Sequence, residues 1–410
     1  MKNGRIKPLV AGLLIYLLIG LIYGWSIFVA PLEAEFGWSR AQTSAVFTIS
    51  MIFFCLGGIV SGIIIKKKTA RFILTVAAIC LCAGFCCASS IHTVGGLYIA
   101  YGVLCGTGVG LAYNCNISTV LKWFPDRAGL ISGLLLMCFG CGGMVLGTLA
   151  SSLIQMIGWR ITFVILGLLF AALILICAIW IKNPPENLFS RQGQDVREKS
   201  AILKQKKKAE KKHPEIGVEM KAGQMLKRPA FWLHFIWATL LSAAGLAVIG
   251  HASVCAQDLG AAVGIATLIT GLISVFNGIG RVVIGWIFDT MGRRTSVAIS
   301  NLTMVLAFVL LVYAIGRGSL GVFMGASLIL GFSYGSTPPV NSAFINLFYG
   351  KKNYPLNFSF MNSNLIPASL LGPLVAGAVN TATGSYLTVF ILLLVLSAGA
   401  FLLQLGVKKP

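Results

Sequence analysis

Long apolar runs separated by short polar segments dominate the chain. Each run approaches or exceeds the ~20 residues that an α-helix needs to cross ~30 Å of hydrocarbon. The runs are continuous and do not alternate every second residue, so they predict helices rather than the strands of a membrane barrel. Twelve spans are predicted, at residues 8–30, 41–65, 72–91, 94–121, 128–157, 161–181, 229–256, 263–288, 295–315, 319–347, 354–380 and 385–406.

Composition points the same way. Hydrophobic residues make up 57% of the chain and charged residues only 10%, whereas soluble domains carry roughly 25% charged residues. A chain this apolar requires lipid as its solvent, which predicts an all-α membrane protein. The first apolar run is too long for the core of a signal peptide and has no convincing cleavage site, so it is interpreted as the first span.

The basic residues indicate the orientation of the chain. The net charge is +21, but the cations lie in short loops, which fits membrane topology better than nucleic-acid binding. All but four of the 32 Lys and Arg residues fall on one side of the predicted map; Arg40, Arg160 and Arg317 lie on the other side and Arg281 lies within a span. The cationic side is therefore expected to be cytoplasmic, with both termini inside, in a multi-pass protein of the plasma membrane.

One long hydrophilic segment, 182–228, divides the chain into two blocks of six spans, 1–181 and 229–410. We interpret it as a flexible cytoplasmic linker whose cations contact anionic lipid headgroups; a regulatory docking site is the alternative. The two blocks resemble each other: residues 61–71 and 284–294 hold the same place in each. Parallel six-span repeats with a substrate site between them, near the middle of the bilayer, are a known transporter plan.

Several motifs resemble those of known families. The segment G-W-I-F-D-T-M-G-R-R at 285–294, which contains Asp289 and Arg293, resembles the signature loop of the major facilitator superfamily. More narrowly, five segments resemble the oxalate/formate antiporter family: Y-G-W-S at 23–26, K-W-F-P-D-R-A-G-L at 122–130, M-L-K-R-P-A-F-W at 225–232, N-G-I-G-R at 277–281 and K-N-Y at 352–354. That family is similar to the monocarboxylate transporters. The resemblance implies a fold of twelve helices in two pseudo-symmetric bundles, and carriage of small organic anions.

Two departures from these families change the expectation. The first-half copy of the signature loop has Lys66 where the family has an acid, and Thr69 where it has Gly. That loop is expected to hold one conformation of the carrier, so the contact is predicted to differ between the halves. The oxalate carrier also has a Lys on span eleven, and Met361 takes that place here. Span eleven instead offers the uncharged side chains of Asn357, Asn362 and Asn364.

Arg281 is the one charged residue clearly inside a span, about 12 Å deeper than Asp289. An Arg at that depth costs at least ~2.5 kcal/mol, which a bound carboxylate would offset through two parallel hydrogen bonds. Asn277 shares its helical face. The alternative is a structural Arg bonded to carbonyl oxygens. None of the eleven acids falls at mid-membrane, so we predict a cavity with about one positive charge and a monocarboxylate substrate (lactate-, pyruvate- or formate-like) rather than oxalate.

Spans one, four, seven and ten line the pathway in the superfamily, and the resemblance therefore places further contacts on spans one, four and ten. Their polar candidates are Tyr23, Tyr113, Asn116, Tyr334 and Asn341. A Tyr hydroxyl can bond a carboxylate while the ring excludes water; packing at the interface is the alternative for each. Pro338, followed by a second proline, is expected to interrupt span ten and to produce a kink that helps gating.

The sequence leaves open how transport is driven and whether the protein is a transporter or a sensor. His251 near the outer end of span seven is a candidate for proton transfer or for contact with the substrate, and Asp258 in the next loop is a candidate for proton transfer. Asp289 and Arg293 are candidates for gating. Proton symport and anion exchange are both compatible with the sequence, as is a sensor with a transporter fold. The spans contain no metal cluster, nucleophile motif or carboxylate pair, so no enzyme, metal or cofactor is predicted. The expected partners are a small carboxylate, protons and membrane lipids.

Overall fold

The computed structural model of the chain describes residues 3–125, 127–185 and 219–408, and within these ranges the regular structure is helical. Most of the predicted linker, residues 186–218, lies outside the described residues. Asp126, which belongs to the motif at 122–130, also lies outside them. The predictions made for the linker and for the domain boundaries therefore stay predictions.

The described residues contain ten helices that are long and apolar enough to cross a membrane. Two interruptions reconcile this number with twelve spans. The helix Ala128–Ala178 bends at Gly158, whose φ of 78° is not helical, and this bend separates spans five and six. Span eleven is broken into Tyr354–Asn362 and Leu365–Thr383. The predicted multi-pass, all-helical fold is confirmed.

The helices follow the predicted order closely. The bounds are Asn3–Ile19, a 3-10 turn Gly20–Gly24 and Ser26–Phe36 for span one; Arg40–Ile64 for span two; Ala70–Ser89 for span three; Val94–Leu97, a π-helical segment Tyr98–Cys105 and Gly106–Val120 for span four; Pro229–Asp258, Val263–Met291, Arg293–Arg317 and Leu320–Tyr349 for spans seven to ten; and Tyr386–Leu405 for span twelve. Two short helical segments, Leu121–Trp123 and Ala222–Met225, lie between spans.

Local sequence explains where several helices begin. Ser39 forms a capping box with Gln42 at the start of span two. Thr69 caps span three by accepting a hydrogen bond from the backbone N–H of Phe72. The Thr that departs from the family pattern therefore has a helix-capping role here. Gly292, with a φ of 85°, makes the sharp turn between spans eight and nine that a residue with a Cβ would adopt only with strain.

The first six spans and the last six spans, here called the two halves, meet through closely packed glycines. Gly133 on span five has no room for a Cβ, because the backbone oxygen of Arg281 occupies that space. Gly129 and Gly285 approach each other in the same way one turn further along. Small residues permit this close contact between backbones, which is the usual basis of helix packing in lipid. Spans five and eight thus hold the two halves together.

The interruption expected at Pro338 is wrong, whereas the kink and the role in gating stay predictions. Span ten runs as one helix from Leu320 to Tyr349 through both Pro338 and Pro339. A proline removes one backbone N–H and crowds the preceding turn, yet helical dihedral angles are retained here because neighbouring spans bury this segment. The breaks in the helical bundle lie instead in spans one, four and eleven.

Candidate functional site

A small central cavity of about 10 Å³ lies between the two halves. Its lining comes from spans one, four, five, seven, eight, ten and eleven, so both halves contribute. The lining residues are Tyr23, Tyr113, Leu136, Phe139, Ser242, Arg281, Tyr334, Thr337, Pro338, Asn341, Asn362, Asn364 and Leu365. Among these described residues Arg281 is the only charged side chain. This volume has room for about one water molecule.

Arg281 is held by neutral groups only. Its side chain is 3% exposed, its Nε donates a 2.9 Å hydrogen bond to Asn277 Oδ1, and its Nη1 donates to the backbone oxygen of Leu136 on span five. The flat guanidinium lies against Gly140. No carboxylate among the described residues lies within ion-pair distance of it. The positive charge at this depth is therefore oriented by the protein but is not neutralised by it.

Aromatic rings form one wall of the cavity. Tyr113 and Phe139 are 5.1 Å apart between ring centroids, and Tyr23 packs edge-on against Phe139 at the same distance. Tyr16 lies behind this wall: its ring stacks on Tyr113 at 5.0 Å, and its hydroxyl donates a 2.9 Å hydrogen bond to the Tyr113 backbone oxygen. These rings exclude water from one side of Arg281 and strengthen its electrostatic interactions.

Neutral polar groups form the other wall. The Asn341 amide donates to Asn364 Oδ1 at 3.4 Å, and the Asn364 amide donates to Ser242 Oγ at 3.5 Å. Within the described part of the chain, Thr337 Oγ1 and Asn341 Oδ1 are buried without a hydrogen-bond partner. Each unsatisfied buried group costs about 1–3 kcal/mol, so this wall has hydrogen-bonding capacity available to a molecule in the cavity.

Tyr334 enters the cavity because its neighbour on span seven is a glycine. A Cβ at Gly245 would overlap the Tyr334 ring. Tyr334 and Tyr113 occupy equivalent places in the two halves of the sequence repeat, and both line the cavity. Of the candidates from spans one, four and ten, the structure thus brings Tyr23, Tyr113, Tyr334 and Asn341 together around Arg281.

The structure places other candidates away from this cavity. Asn116 donates a 2.8 Å hydrogen bond to the backbone oxygen of Gly12 on span one, within the first half. His251 Nδ1 lies 3.1 Å from the hydroxyl of Tyr386 on span twelve, and Asp258 is exposed at the end of span seven. None of these three residues lines the cavity. A role of these three in binding or proton transfer stays a prediction.

The two gating candidates lie at the end of the bundle that carries the basic loops, which we call the basic face. Asp289 accepts hydrogen bonds from the backbone N–H groups of Gly129 (2.9 Å) and Leu130 (2.8 Å) in the first turn of span five. A carboxylate at a helix N-terminus is favoured by the helix dipole. Asp289 therefore bridges the halves. Arg293 instead bonds Gln404 Oε1 at 3.0 Å and the Val407 oxygen at 3.2 Å, both within the second half.

Sequence reasoning missed several residues of the site. The Leu136 carbonyl and the Phe139 ring on span five, and Ser242 on span seven, carry no signal that distinguishes them from packing residues. Asn114, next to Tyr113, was also missed, although its contacts join the halves. A polar residue buried within a span was the available signal, but its partners lie more than 200 positions away in the sequence.

Comparison with known proteins agrees with this geometry. The sequence matches the Major Facilitator Superfamily over residues 12–254 and again over 236–410. The chain belongs to the Major Facilitator Superfamily. The superfamily predicted from the signature loop is confirmed.

Curated relatives support the narrower resemblance. The "Oxalate:formate antiporter" of Oxalobacter formigenes is 27% identical over 96% of this chain and 88% of its own length. An uncharacterised transporter of the superfamily from Escherichia coli (strain K12), YhjX, is 24% identical over 87% of this chain and 84% of its own length. Human "Monocarboxylate transporter 1" is 28% identical over 37% of this chain and 31% of its own length.

Solved structures share the fold. FucP, a superfamily transporter captured in the outward conformation, has a TM-score of 0.72 at 16% identity and covers 99% of this chain and 100% of its own. The proton:xylose symporter XylE has a TM-score of 0.69 at 18% identity, with 98% and 96% of the two chains covered. At this level of identity the likeness establishes the architecture and not the substrate.

Proposed function

We propose that this protein is a secondary carrier of a small organic anion, which binds to Arg281 between the two halves and crosses the membrane by alternating access. One observation carries the proposal: a buried guanidinium faces the central cavity and no carboxylate in the described ranges neutralises it. Leaving a charge unpaired at this depth is costly. A carboxylate in the cavity would accept two hydrogen bonds from the guanidinium and remove that cost.

The charge of the cavity favours a monoanion. Arg281 is the only cation among the described lining residues. Met361, which occupies the place of the Lys in the oxalate carrier, is 0% exposed and does not line the cavity. A dianion such as oxalate would leave one carboxylate facing neutral groups. We therefore infer a monocarboxylate, lactate-, pyruvate- or formate-like, whose remaining atoms contact Thr337 and Asn341.

A dicarboxylate exchanger is the second candidate, because the relative from Oxalobacter formigenes is named as an oxalate:formate antiporter. Its similarity extends over nearly the whole chain, whereas human monocarboxylate transporter 1 aligns with 37% of it. Both relatives carry small carboxylates according to their names, so the class of substrate is common to the two candidates. They differ in whether one or two charges must be accommodated.

The positive charge of Arg281 also bears on whether the carrier works by anion exchange or by proton symport. If the halves cannot rearrange while Arg281 is unneutralised, net flux requires an anion in each direction, which gives exchange. If His251 or Asp258 takes up a proton, symport results. Counterflow in liposomes separates these mechanisms: strict dependence on an internal anion indicates exchange, and stimulation by a pH gradient indicates symport. Binding without flux would indicate a sensor. We further propose that the basic face is the cytoplasmic face.

The substrate class can be tested by thermal-shift measurements on the purified protein. Lactate, pyruvate, formate, acetate and oxalate are compared with neutral and cationic compounds of similar size. We expect a monocarboxylate to raise the unfolding temperature of the wild type and not that of Arg281→Ala. Arg317→Ala, which removes an exposed Arg at the end of span nine, is the matched control and should respond as the wild type does. Stabilisation by neutral or cationic compounds alone would contradict the proposal.

A further inference from the structure

Between the central cavity and the basic face, spans two, four and eleven meet at the side chain of Asn114. Its Nδ2 lies 2.9 Å from the Gly58 oxygen on span two, 2.9 Å from the Pro355 oxygen and 2.7 Å from Ser359 Oγ on span eleven. Spans two and four belong to the first half and span eleven to the second. The amide therefore connects the two halves of the molecule directly.

Ser359 completes this group from the other side. Its Oγ lies within hydrogen-bond distance of the Gly58 oxygen (2.7 Å) and of the Pro355 oxygen (2.8 Å). Asn114 is 1% exposed and Ser359 3% exposed. Hydrogen bonds in such a dry setting are strong, and leaving either partner unsatisfied is costly. The contact between Asn114 and Ser359 thus favours the state in which spans four and eleven touch.

The same helices carry the wall of the central cavity. Tyr113 precedes Asn114 on span four, and Asn362 follows Ser359 by one turn on span eleven; both line the cavity. A second small gap, also of about 10 Å³, lies between the two levels and is lined in part by Cys55. A movement of span four or span eleven that changes the cavity wall must therefore also change the Asn114–Ser359 contact.

Further contacts between the halves follow on the side of the basic face. Gly62 on span two has no room for a Cβ because the backbone of span eleven at Pro355 and Leu356 fills that space. Beyond it, Lys66 Nζ donates a 2.9 Å hydrogen bond to Asn353 Oδ1. From the cavity outwards, the contacts between the halves are therefore the Asn114–Ser359 hydrogen bond, the close packing of Gly62 against span eleven, and the Lys66–Asn353 hydrogen bond at the surface. This seam closes the cavity towards the basic face.

We propose that Asn114 and Ser359 are the gating pair of this carrier on the basic face: their hydrogen bonds across the halves hold the seam between spans two, four and eleven shut, and the loss of these bonds opens the cavity to that side. Neither residue lines the central cavity; they act by positioning spans four and eleven. The inference rests on the proposed carrier function, since a gate has meaning only where the cavity opens to each side in turn.

Cys55 provides a native reporter. It is 2% exposed, and its Sγ lies 3.8 Å from the Asn362 oxygen within the seam. The experiment is alkylation of the full-length protein in proteoliposomes by a membrane-impermeant maleimide, with the rate at Cys55 read by peptide mass spectrometry. This separates Cys55 from the ten other cysteines. Loss of a hydrogen bond of ordinary strength predicts that Asn114→Ala and Ser359→Ala each raise this rate roughly three- to tenfold.

Ser61→Ala is the matched control. It removes a buried 3.1 Å hydrogen bond from Ser61 Oγ to the Leu111 oxygen, which joins spans two and four within one half. We expect no increase in the Cys55 rate. The double variant Asn114→Ala/Ser359→Ala should exceed either single effect, because Asn114 also bonds the Pro355 oxygen and Ser359 also bonds the Gly58 oxygen, and each single variant keeps one of these contacts between the halves. If Asn114→Ala does not fold, Ser359→Ala decides alone.

Two results would overturn the proposal: unchanged Cys55 rates in folded Asn114→Ala and Ser359→Ala, or an equal rise in Ser61→Ala. The assay needs no substrate, so its outcome is independent of the substrate class. If no carboxylate is transported by the wild type, the carrier proposal fails even where the Cys55 rates change as expected. If transport of a carboxylate is found but these rates do not change, the gate lies elsewhere.

Discussion

Gly140 allows the position of Arg281 to be altered without changing its charge. An ideal Cβ on Gly140 would lie 3.2 Å from both Cζ and Nη1 of the Arg281 guanidinium. An unstrained contact between such atoms is about 3.5–4.0 Å. In Gly140→Ala the guanidinium must therefore withdraw by roughly 0.3–0.8 Å. The new methyl group meets the end of a flexible side chain rather than backbone, so the helices themselves need not move.

The expected size of the effect follows from that displacement. A misplacement of about 1 Å can cost on the order of 100-fold in a process that depends on alignment, so about half that displacement predicts roughly a tenfold rise in the apparent KM for the transported anion. Ala also has a higher helix propensity than Gly by up to about 1 kcal/mol. The unfolding temperature of Gly140→Ala should therefore not fall appreciably, which distinguishes a shifted guanidinium from damage to the fold.

Substitutions at two other glycines provide the controls. Gly271 lies on the same span as Arg281 and has open space where a Cβ would be, so Gly271→Ala should leave the apparent KM unchanged. Gly133 faces the backbone of span eight, so Gly133→Ala should lower the unfolding temperature and the yield of folded protein. Uptake into proteoliposomes at graded anion concentrations provides the KM values. An apparent KM in Gly140→Ala equal to that of Gly271→Ala would refute the assignment of Arg281 as the anion ligand.

Three further predictions concern charges. Arg281→Lys keeps the charge but loses the planar fork, so the apparent affinity for the anion should fall by roughly tenfold or more in the same uptake assay; an unchanged affinity would argue against a two-bond contact. Asp289→Asn removes the negative charge at the start of span five, and the Cys55 alkylation rate should rise roughly two- to fivefold, with no change counting against the bridge. On the opposite face, hydrogen bonds from Arg160 and Trp159 lower the pKa of Glu35 below its ordinary value of 4.5. The ionised carboxylate therefore adds to the free energy of unfolding above pH 4.5, and this contribution is lost as the carboxylate is protonated when the pH falls through its lowered pKa. The contribution is at most about 1 kcal/mol because the pair is partly exposed. The difference in unfolding temperature between wild type and Glu35→Gln should shrink as the pH is lowered below 4.5; a difference that stays the same size throughout acidification would contradict this.

The fold was largely predictable because lipid imposes strong rules on sequence. Each span must satisfy its backbone within a helix and must be apolar over about 20 residues, so spans appear as runs that can be read directly. Irregularities inside spans were not predictable in the same way. The two prolines of span ten indicated a break and the helix continues, whereas the break in span eleven at Ser363 and Asn364 has no proline within it. Whether a helix breaks depends on what packs against it.

The site was predictable only in part, for a related reason. Depth along a span follows from counting residues, which predicted Arg281 near the middle of the membrane, and the structure buries this side chain. The direction of a side chain follows from helical periodicity only once the facing helix is known. Tyr113 and Asn116 are one turn apart, yet Tyr113 lines the cavity and Asn116 bonds span one. Asn114, between them, reaches span eleven. Contacts across the halves depend on the arrangement of helices far apart in sequence.

At the basic face the two halves meet along two seams, one between spans five and eight and one between spans two and eleven. Different side chains close the two seams, and Lys66 is one cause of the difference. At the seam of spans five and eight, Asp289 binds two consecutive backbone N–H groups at a helix start. Lys66, at the equivalent place in the first half, cannot accept from backbone amides and instead donates to Asn353. The acid near span eleven is supplied by Glu219, whose carboxylate accepts from the N–H groups of Lys351 and Lys352. Glu219 lies near the end of the 182–228 segment, and its carboxylate orders the loop before span eleven without bonding span two. The seam of spans two and eleven therefore relies on the uncharged side chains of Asn114 and Ser359 and on the cationic donor Lys66, where the other seam has a carboxylate.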